Sequence, residues 1–316
     1  MQLAVRVSVL IPCFNAEKYI GETLESVFRQ TWPDIEVIVV DDGSTDKSIE
    51  EAERFGNRGI RIIRQAKRGA AAARNLAYAA SSGIFVQFLD ADDILAADKI
   101  ALQIARLDQN TDCIASAAWG RFHDDIRTCK FESENVWQDL DPVDWLTDSR
   151  KDGLGMLFPA IWLLPKVVAD RAGPWDESLS LADDTEYFTR AVLASRRVLF
   201  CEGAKCHYRS SLAGSLSGRK TRSAWDSQFR VTDLCEAYVR AVEDSERVRR
   251  GFALSWQRLA HACYPYDPEI AERALERARA LHSVAIYPDG GAAFKAASRL
   301  FGWRLARRLQ VASGRS

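Results

Sequence analysis

Apolar positions in the first third of the chain fall in short solid runs, separated by stretches where they recur every three or four residues. Residues 7–11 (VSVLI) form one such run, which the following Pro12 is expected to stop. Residues 35–40 (IEVIVV) are a continuous β-branched run of the kind buried on both faces of a sheet. Between them Tyr19, Ile20, Leu24, Val27 and Phe28 sit at helical spacing, predicting a helix over 17–30 with its acids toward the start. The alternation continues with a helix over 47–55, a strand over 60–63, a helix over 70–80, a strand over 84–89 and a helix over 98–107. Strand and helix repeated with short links predict an α/β fold with a mostly parallel, helix-covered central sheet.

Past residue 111 the pattern loosens. A strand is expected near 112–118, whereas 120–152 mixes charges, aromatics and turns without a period. Gly173-Pro174 marks a turn ahead of a helix carrying Asp183, Asp184 and Glu186. Two strands are expected at 198–201 and 206–209, then a small, polar, basic loop over 210–223. Helices over 224–250 and 269–282 complete a C-terminal helical extension, broken between them at 264–268.

The polar clusters fall where such a sheet binds ligands, just beyond the carboxyl ends of its strands. Asn15 follows the first strand, Asp41-Asp42 the second, and Asp90-Ala91-Asp92-Asp93 the run IFVQFL. Crowded carboxylates repel unless a cation or positive partners offset them, and hard oxygen donors suit Mg²⁺ or Mn²⁺. Taken alone, the aspartates at 90–93 read equally as the acid-rich, dipole-favoured start of a helix. In DDGSTD the bland account is a turn at Gly43 and a cap at Ser44 or Asp46, although a carboxylate there also suits nucleobase N–H groups or ribose hydroxyls. Asp184 lies one helical turn from Phe188, where partial burial lifts a carboxylate toward the pKa of a general base; acids in a first turn are the ordinary alternative. Arg74 and Asn75, behind Gly69, would meet phosphate charge or form a solvated helix end.

Bulk properties narrow the classes. The chain has 316 residues, 47% hydrophobic and 28% charged, which is ordinary globular composition with room for one large or two modest domains. A net charge of −1 gives no field that draws the molecule to nucleic acid. The odd count of 7 cysteines, with no CxxC pair, points to reduced thiols and a cytoplasmic protein. The N-terminal MQLAVRVSVLIPCFN lacks a basic leader and a cleavage site, and no window approaches the ~18 apolar residues that span a bilayer. The tail FKAASRLFGWRLARRLQ interleaves Phe294, Leu300, Phe301, Trp303, Leu305 and Leu309 with Lys295, Arg299, Arg304, Arg307 and Arg308. That pattern fits a peripheral contact with the inner face of a membrane, and equally an amphipathic helix packed on the body.

VSVLIPCFNAEKYIGETLESVFRQT, IEVIVVDDGSTDKS and RGAAAARNLAYAASSGIFVQFLDADDIL, taken in order, resemble the nucleotide-sugar-dependent family 2 glycosyltransferases of the GT-A fold. The segment GPWDESLSLADDTEYFTRAV looks like that family's G-G-F-D-E … E-D … R stretch, so the resemblance covers about residues 5–218. It implies a catalytic domain over 1–218, with a nucleotide-sugar half at about 1–110 and an acceptor half at about 111–218, followed by a helical region over 219–316. The implied reaction is an inverting transfer of one sugar from a UDP-, GDP- or dTDP-sugar to a glycan or lipid-linked acceptor in cell-surface polysaccharide synthesis. By similarity Asp42 holds the nucleobase, with Pro12, Asn15 and Arg74 lining the nucleotide pocket. Asp90 and Asp92 are the D-x-D pair, Asp92 binding Mn²⁺ or Mg²⁺ and Asp90 helping to place the donor; Asp184 is the general base, with Asp183 in support. Tyr208-Arg209 and Ser215-Leu216-Ser217 look like the closing segment, from which Arg209 reaches the diphosphate and His207 is a further candidate for the metal.

Departures exist: Asp183 stands where the family has Glu, and Lys67-Arg68-Gly69 replaces Asn-x-Gly. The Q-x-x-R-W segment of processive members is missing, which implies one sugar per encounter. A nucleotidyltransferase on a similar sheet would need a Gly-rich basic loop after the first strand, and a dehydrogenase G-x-G-x-x-G; PCFNAEKY is neither. A catalytically silent nucleotide-sugar binder is a further alternative. Acceptor contacts are expected within 119–165, where Trp137, Trp145 and Trp162 are stacking surfaces or core aromatics.

Overall fold

The computed structural model describes residues 5–150, 157–210, 220–282 and 291–313. In chain order they form β1 (Val7–Cys13), α1 (Ile20–Phe28), β2 (Ile35–Asp41), α2 (Ser48–Glu53), β3 (Arg61–Arg64), α3 (Ala70–Ala79), β4 (Phe85–Phe88), β5 (Ile94–Leu95) and α4 (Lys99–Leu107). Then come β6 (Ile114–Phe122), α5 (Pro142–Asp148), β7 (Leu164–Pro165), α6 (Lys166–Ala172), α7 (Asp183–Ala194) and β8 (Val198–Arg209). Five helices follow: α8 (Arg222–Val242), α9 (Glu246–Cys263), α10 (Pro268–Leu281), α11 (Ala292–Phe301) and α12 (Trp303–Ala312). The chain divides into two compact units, one of Met1–Trp145, Leu157–Leu179 and Asp183–Ser215, the other of Leu146–Met156, Ser180–Ala182 and Leu216–Ser316.

In the first unit a five-stranded sheet runs β3-β2-β1-β4-β7, and a three-stranded sheet runs β5-β8-β6. Strands β3, β2, β1 and β4 are mutually parallel, and β7 closes the edge antiparallel to β4. The apolar runs of β1 and β2 are buried, with α3 packed against both strands. Ala71, Ala72, Ala73 and Ala77 turn inward on α3, small enough for the helix to lie close. Pro12 does not end β1, which runs on to Cys13 in register with Asp41. The Leu10 carbonyl receives the last bond from the β4 side, from Leu89 N at 3.0 Å. Two residues on, the nitrogen of Pro12 faces that same side, where pairing with β4 has already stopped, so its missing N–H forfeits no ladder bond.

Three further expectations are corrected. The helix expected from residue 17 starts at Ile20, because Glu17 is spent on the neighbouring loop: its N–H donates to Asp46 and its carboxylate accepts from Lys47 N. The two strands expected near residues 198–209 are one, β8, interrupted where Ala117 pairs Cys201 and Ala118 pairs Lys205; Gly203 at φ 88° absorbs the extra residues. The helix expected over 224–250 is two. Its break at 243–245 lies amid charge pairs, with Asp244 accepting from both Arg240 and Arg249. Asp98 stands at the N-cap of α4 without a side-chain cap bond. Beneath that helix the buried Lys99 ammonium donates to the side-chain oxygens of Gln87 (2.5 Å) and Gln103 (2.6 Å), tying α4 to β4.

An aromatic cluster of Phe88, Trp162, Trp175, Tyr187 and Phe188 forms the core beside the parallel strands. Trp145 and Trp162, ring centroids 4.8 Å apart, are fully buried, so these two acceptor candidates are core; Trp137 is half-buried and stacked on Phe200 at 5.9 Å. Gly83 lets β4 enter against β1. A Cβ there would lie 2.6 Å from Ser8 Oγ, 2.7 Å from Ser8 N and 2.9 Å from the Arg6 carbonyl oxygen. Because backbone cannot yield as a side-chain tip can, Gly83→Ala should cost about 1–3 kcal/mol. A lower urea midpoint at unchanged slope is the expected signature, and an unchanged midpoint refutes this close approach.

In the second unit, Trp256, Leu259, Ile270 and Ala274 form an apolar centre. The buried Glu236 carboxylate there accepts from Trp256 Nε1 at 2.6 Å and Arg277 Nη2 at 3.0 Å. None of the seven cysteines forms a disulfide. Among the described residues no helix is long and apolar enough to cross a membrane.

Candidate active site

Parallel strands bring their carboxyl ends to one edge, and the polar clusters meet there. Asn15, at φ 50° after β1, accepts from Thr45 N at 2.8 Å, while its own N–H donates to Ser44 Oγ at 3.1 Å. The β1 and β2 loops are thereby laced together, and Asn15 stays exposed on top. Asp42, next to the end of β2, is buried. Its carboxylate accepts from Gln65 Nε2 (2.8 Å), Arg68 N (2.7 Å) and Gly69 N (2.9 Å). The adjoining Gln65 Oε1 is buried without a partner. A nucleobase N–H would satisfy that oxygen, so Gln65 joins Asp42 as a candidate for reading the base. Sequence pattern gave no hint of it, because nothing marks a glutamine after a short strand as unusual.

At the end of β4 the carboxylates crowd. Arg74, buried on α3, donates from Nη2 to Asp90 (2.7 Å) and from Nη1 to Asp183 at the start of α7 (2.7 Å). Its guanidinium carbon lies 4.4 Å from the centroid of Trp175, which stacks in turn on Tyr187 at 4.1 Å. Asn75 fixes Trp175 through both backbone groups, accepting from its N–H (2.8 Å) and donating to its carbonyl (3.0 Å). Asp183, though shorter than glutamate, reaches the arginine, and Ala182 before it is held at φ 60°, a left-handed backbone rare outside glycine.

Charge and burial tune the remaining acids. Burial first, then the neighbouring charge of Asp90, pushes Asp92 up to about 7. Asp184 is likewise raised to about 7, by burial and then by the Asp183 charge, while the Arg74 cation pulls it back. Asp93 is fully buried and raised well above the usual carboxylate range, by burial first and then by the Asp92 and Asp90 charges; it accepts from Arg209 N at 3.0 Å, and its second oxygen has no partner among the described residues. Asp93 therefore straps β8 to this loop and does not cap α4.

Arg209 is a loop-holder. Its guanidinium donates to the Asp92 carbonyl (3.0 Å), the His123 carbonyl (3.2 Å) and Glu22, and lies between Tyr19 and Phe122. His207 pairs with Ile94 and packs its ring against Phe122 and Phe131, with Nδ1 buried and unpartnered. Among the described residues no group of three or more His, Cys, Asp or Glu makes a metal-holding cluster. The Ser215-Leu216-Ser217 part of the expected closing segment lies outside the described residues.

The donor set nonetheless fits a divalent cation. Asp90 and Asp92 offer oxygen only, one Asp90 oxygen is taken by Arg74, and among the described residues no other side chain hydrogen-bonds to Asp92. The repulsion that raises Asp92 is what a bound cation relieves, and Mg²⁺ or Mn²⁺ takes one or two carboxylates with phosphate and water completing the shell.

Comparison with known proteins agrees with this architecture. The family model described as Glycosyl transferase family 2 matches residues 8–169. The uncharacterized glycosyltransferase EpsJ of Bacillus subtilis (strain 168) is 28% identical over 211 residues, 65% of this chain and 61% of that protein. The Escherichia coli UDP-Glc:alpha-D-GlcNAc-diphosphoundecaprenol beta-1,3-glucosyltransferase WfgD is 38% identical over 105 residues, 33% of this chain and 42% of that protein. Both alignments therefore span less than two thirds of the relative. The crystal structure of Staphylococcus aureus TarS residues 1–349 in complex with UDP-GlcNAc superposes with a TM-score of 0.71 at 18% identity, covering 98% of this chain and 92% of that one. With its matched region taking in β1 to β4, α3 and the D-x-D pair, the chain belongs to glycosyl transferase family 2 and has the GT-A fold.

Proposed function

We propose that this chain is an inverting glycosyltransferase that moves one sugar from a nucleoside-diphosphate sugar to a hydroxyl of a glycan or lipid-linked acceptor in polysaccharide synthesis. The observation that carries the reading is the Arg74 bridge from Asp90 to Asp183, which sets the donor-side acids and the Asp184 carboxylate around one buried cation. Asp184 removes the acceptor hydroxyl proton, the acceptor oxygen bonds to the anomeric carbon, and the bond to the diphosphate breaks on the opposite face. One displacement inverts that carbon, so no covalent sugar–enzyme adduct forms. A divalent cation held by Asp90 and Asp92 would neutralise charge on the departing diphosphate. Asp42 and Gln65 face the base, with Pro12 and Asn15 at the rim, and Arg209 keeps the Asp92 loop in place. The catalytic domain is 1–218 and the helical region 219–316. Support for a nucleotide-sugar donor comes from the TarS complex, and for a lipid-linked acceptor from the name of WfgD.

A panel of UDP-, GDP- and dTDP-sugars with Mn²⁺, read by thermal shift and by released nucleoside diphosphate, tests this. A true donor stabilises the fold by mass action, about 2.7 kcal/mol at 100 times Kd. Stabilisation without release in the presence of acceptor candidates would favour a silent binder, and sugar 1-phosphate formed only when pyrophosphate is added a nucleotidyltransferase. Excess chelator should abolish transfer and Mn²⁺ or Mg²⁺ restore it; full activity in chelator removes the metal role of Asp92.

A further inference from the structure

The C-terminal pattern resolves residue by residue into two faces. Gly302, at φ 78°, splits it into α11 and α12. Phe294 and Ala306 are buried, and the half-buried Trp303 packs 5.3 Å from Tyr264 against the apolar centre of the second unit. His261 lies 5.1 Å from Phe294. The inward face is thus satisfied. The outward face is not: Leu300 is 75% exposed, Phe301 62%, Leu305 45% and Leu309 57%. Among the described residues only five other large hydrophobics are exposed, scattered at Phe14, Ile84, Val167, Val242 and Tyr266. Cations accompany the outward side chains: Lys295, Arg299, Arg304 and Arg308 are exposed, and residues 291–316 contain no Asp or Glu. Arg304 pairs with Glu272, and Arg308 lies 5.5 Å from the Tyr264 ring, so the helices are tied down with their leucines facing out.

We propose that this outward face, Leu300, Phe301, Leu305 and Leu309 within a rim of Arg299, Arg308 and Lys295, docks on a bilayer surface carrying anionic headgroups. Charge complementarity selects that occupant. A second copy of the face would set cations against cations, whereas an anionic surface attracts them while the apolar side chains enter the acyl boundary. A helix pair that lies in the interface needs no spanning segment, and none occurs among the described residues. The proposal is independent of the transferase reading, because binding is read without any sugar nucleotide.

The test is flotation of the full chain with vesicles of phosphatidylcholine alone or mixed equally with phosphatidylglycerol. Recovery with the anionic vesicles should exceed that with phosphatidylcholine by about tenfold and fall in high salt. Joint replacement Leu300→Glu, Leu305→Glu and Leu309→Glu should abolish it, and Arg299→Glu with Arg308→Glu should remove the preference for anionic lipid. These side chains are exposed, so an unchanged melting temperature shows that the variants fold. Equal recovery of wild type and the triple leucine variant, or no recovery with anionic vesicles, overturns the proposal. A wild-type dimer in sedimentation velocity that the leucine variant dissolves overturns it too, assigning the face to a second copy.

Discussion

Asp184→Asn should leave donor affinity nearly intact while cutting transfer roughly 10²–10⁴-fold, the range contributed by a positioned general base. The expectation rests on an environment that sets the carboxylate near neutrality: burial, and then the Asp183 charge, raise Asp184 from 3.8 to about 7. A base must be unprotonated, so turnover should rise about tenfold per pH unit below about 7 and level off above it. The same shift has a stability consequence of opposite sense. The unfolded chain releases this proton near pH 3.8 and the folded chain only near 7, so between those values each rise in pH favours unfolding. Asparagine cannot ionise. The melting temperature of the variant, measured without donor, should therefore gain on wild type from about pH 4 to 7 and keep that lead above. A variant that transfers sugar at the wild-type rate sinks the base assignment, and one that loses donor binding as well makes Asp184 a binding residue.

Much of this site was legible before any coordinates, for a physical reason. Strands buried on both faces leave unbroken apolar runs, and loops at their carboxyl ends hold polar clusters that a ligand can reach. The runs at residues 7–11 and 35–40 therefore placed Asn15 and Asp42 at once. Links across long sequence separations left no such trace. Arg74 and Asp183 are 109 positions apart, and nothing in the sequence pattern announces that they meet. Gln65 was silent because its role comes from an oxygen left unpaired in three dimensions. Arg209, expected at the diphosphate, proves to be buried among Asp92, His123 and Glu22, a set of partners drawn from three separate elements and loops. At the C-terminal end the pattern of leucines and arginines was plain, but which leucines face outward depended on the turn at Gly302.

Arg74→Met should be the more damaging substitution, and it distinguishes positioning from chemistry. The methionine fills much of the stem but leaves Asp90 and Asp183 without their shared guanidinium, and breaking a buried pair from one side typically costs about 3–5 kcal/mol. Those two acids would also lose the orientation that sets the D-x-D pair against the start of α7, so KM for the donor should rise. Its pH signature is specific. The Arg74 cation lowers the Asp184 pKa against burial and the Asp183 charge, so removing it should carry the rising limb of the rate profile above pH 7. Arg74→Lys restores one positive charge but cannot bond both carboxylates while lying flat on Trp175. The lysine variant should bring the limb back toward 7 and recover only part of the lost stability. If the methionine variant folds and its limb stays near 7, Arg74 does not set the charge state of Asp184; if lysine fully restores stability and KM, the bridge is a point charge and its two-armed geometry is idle.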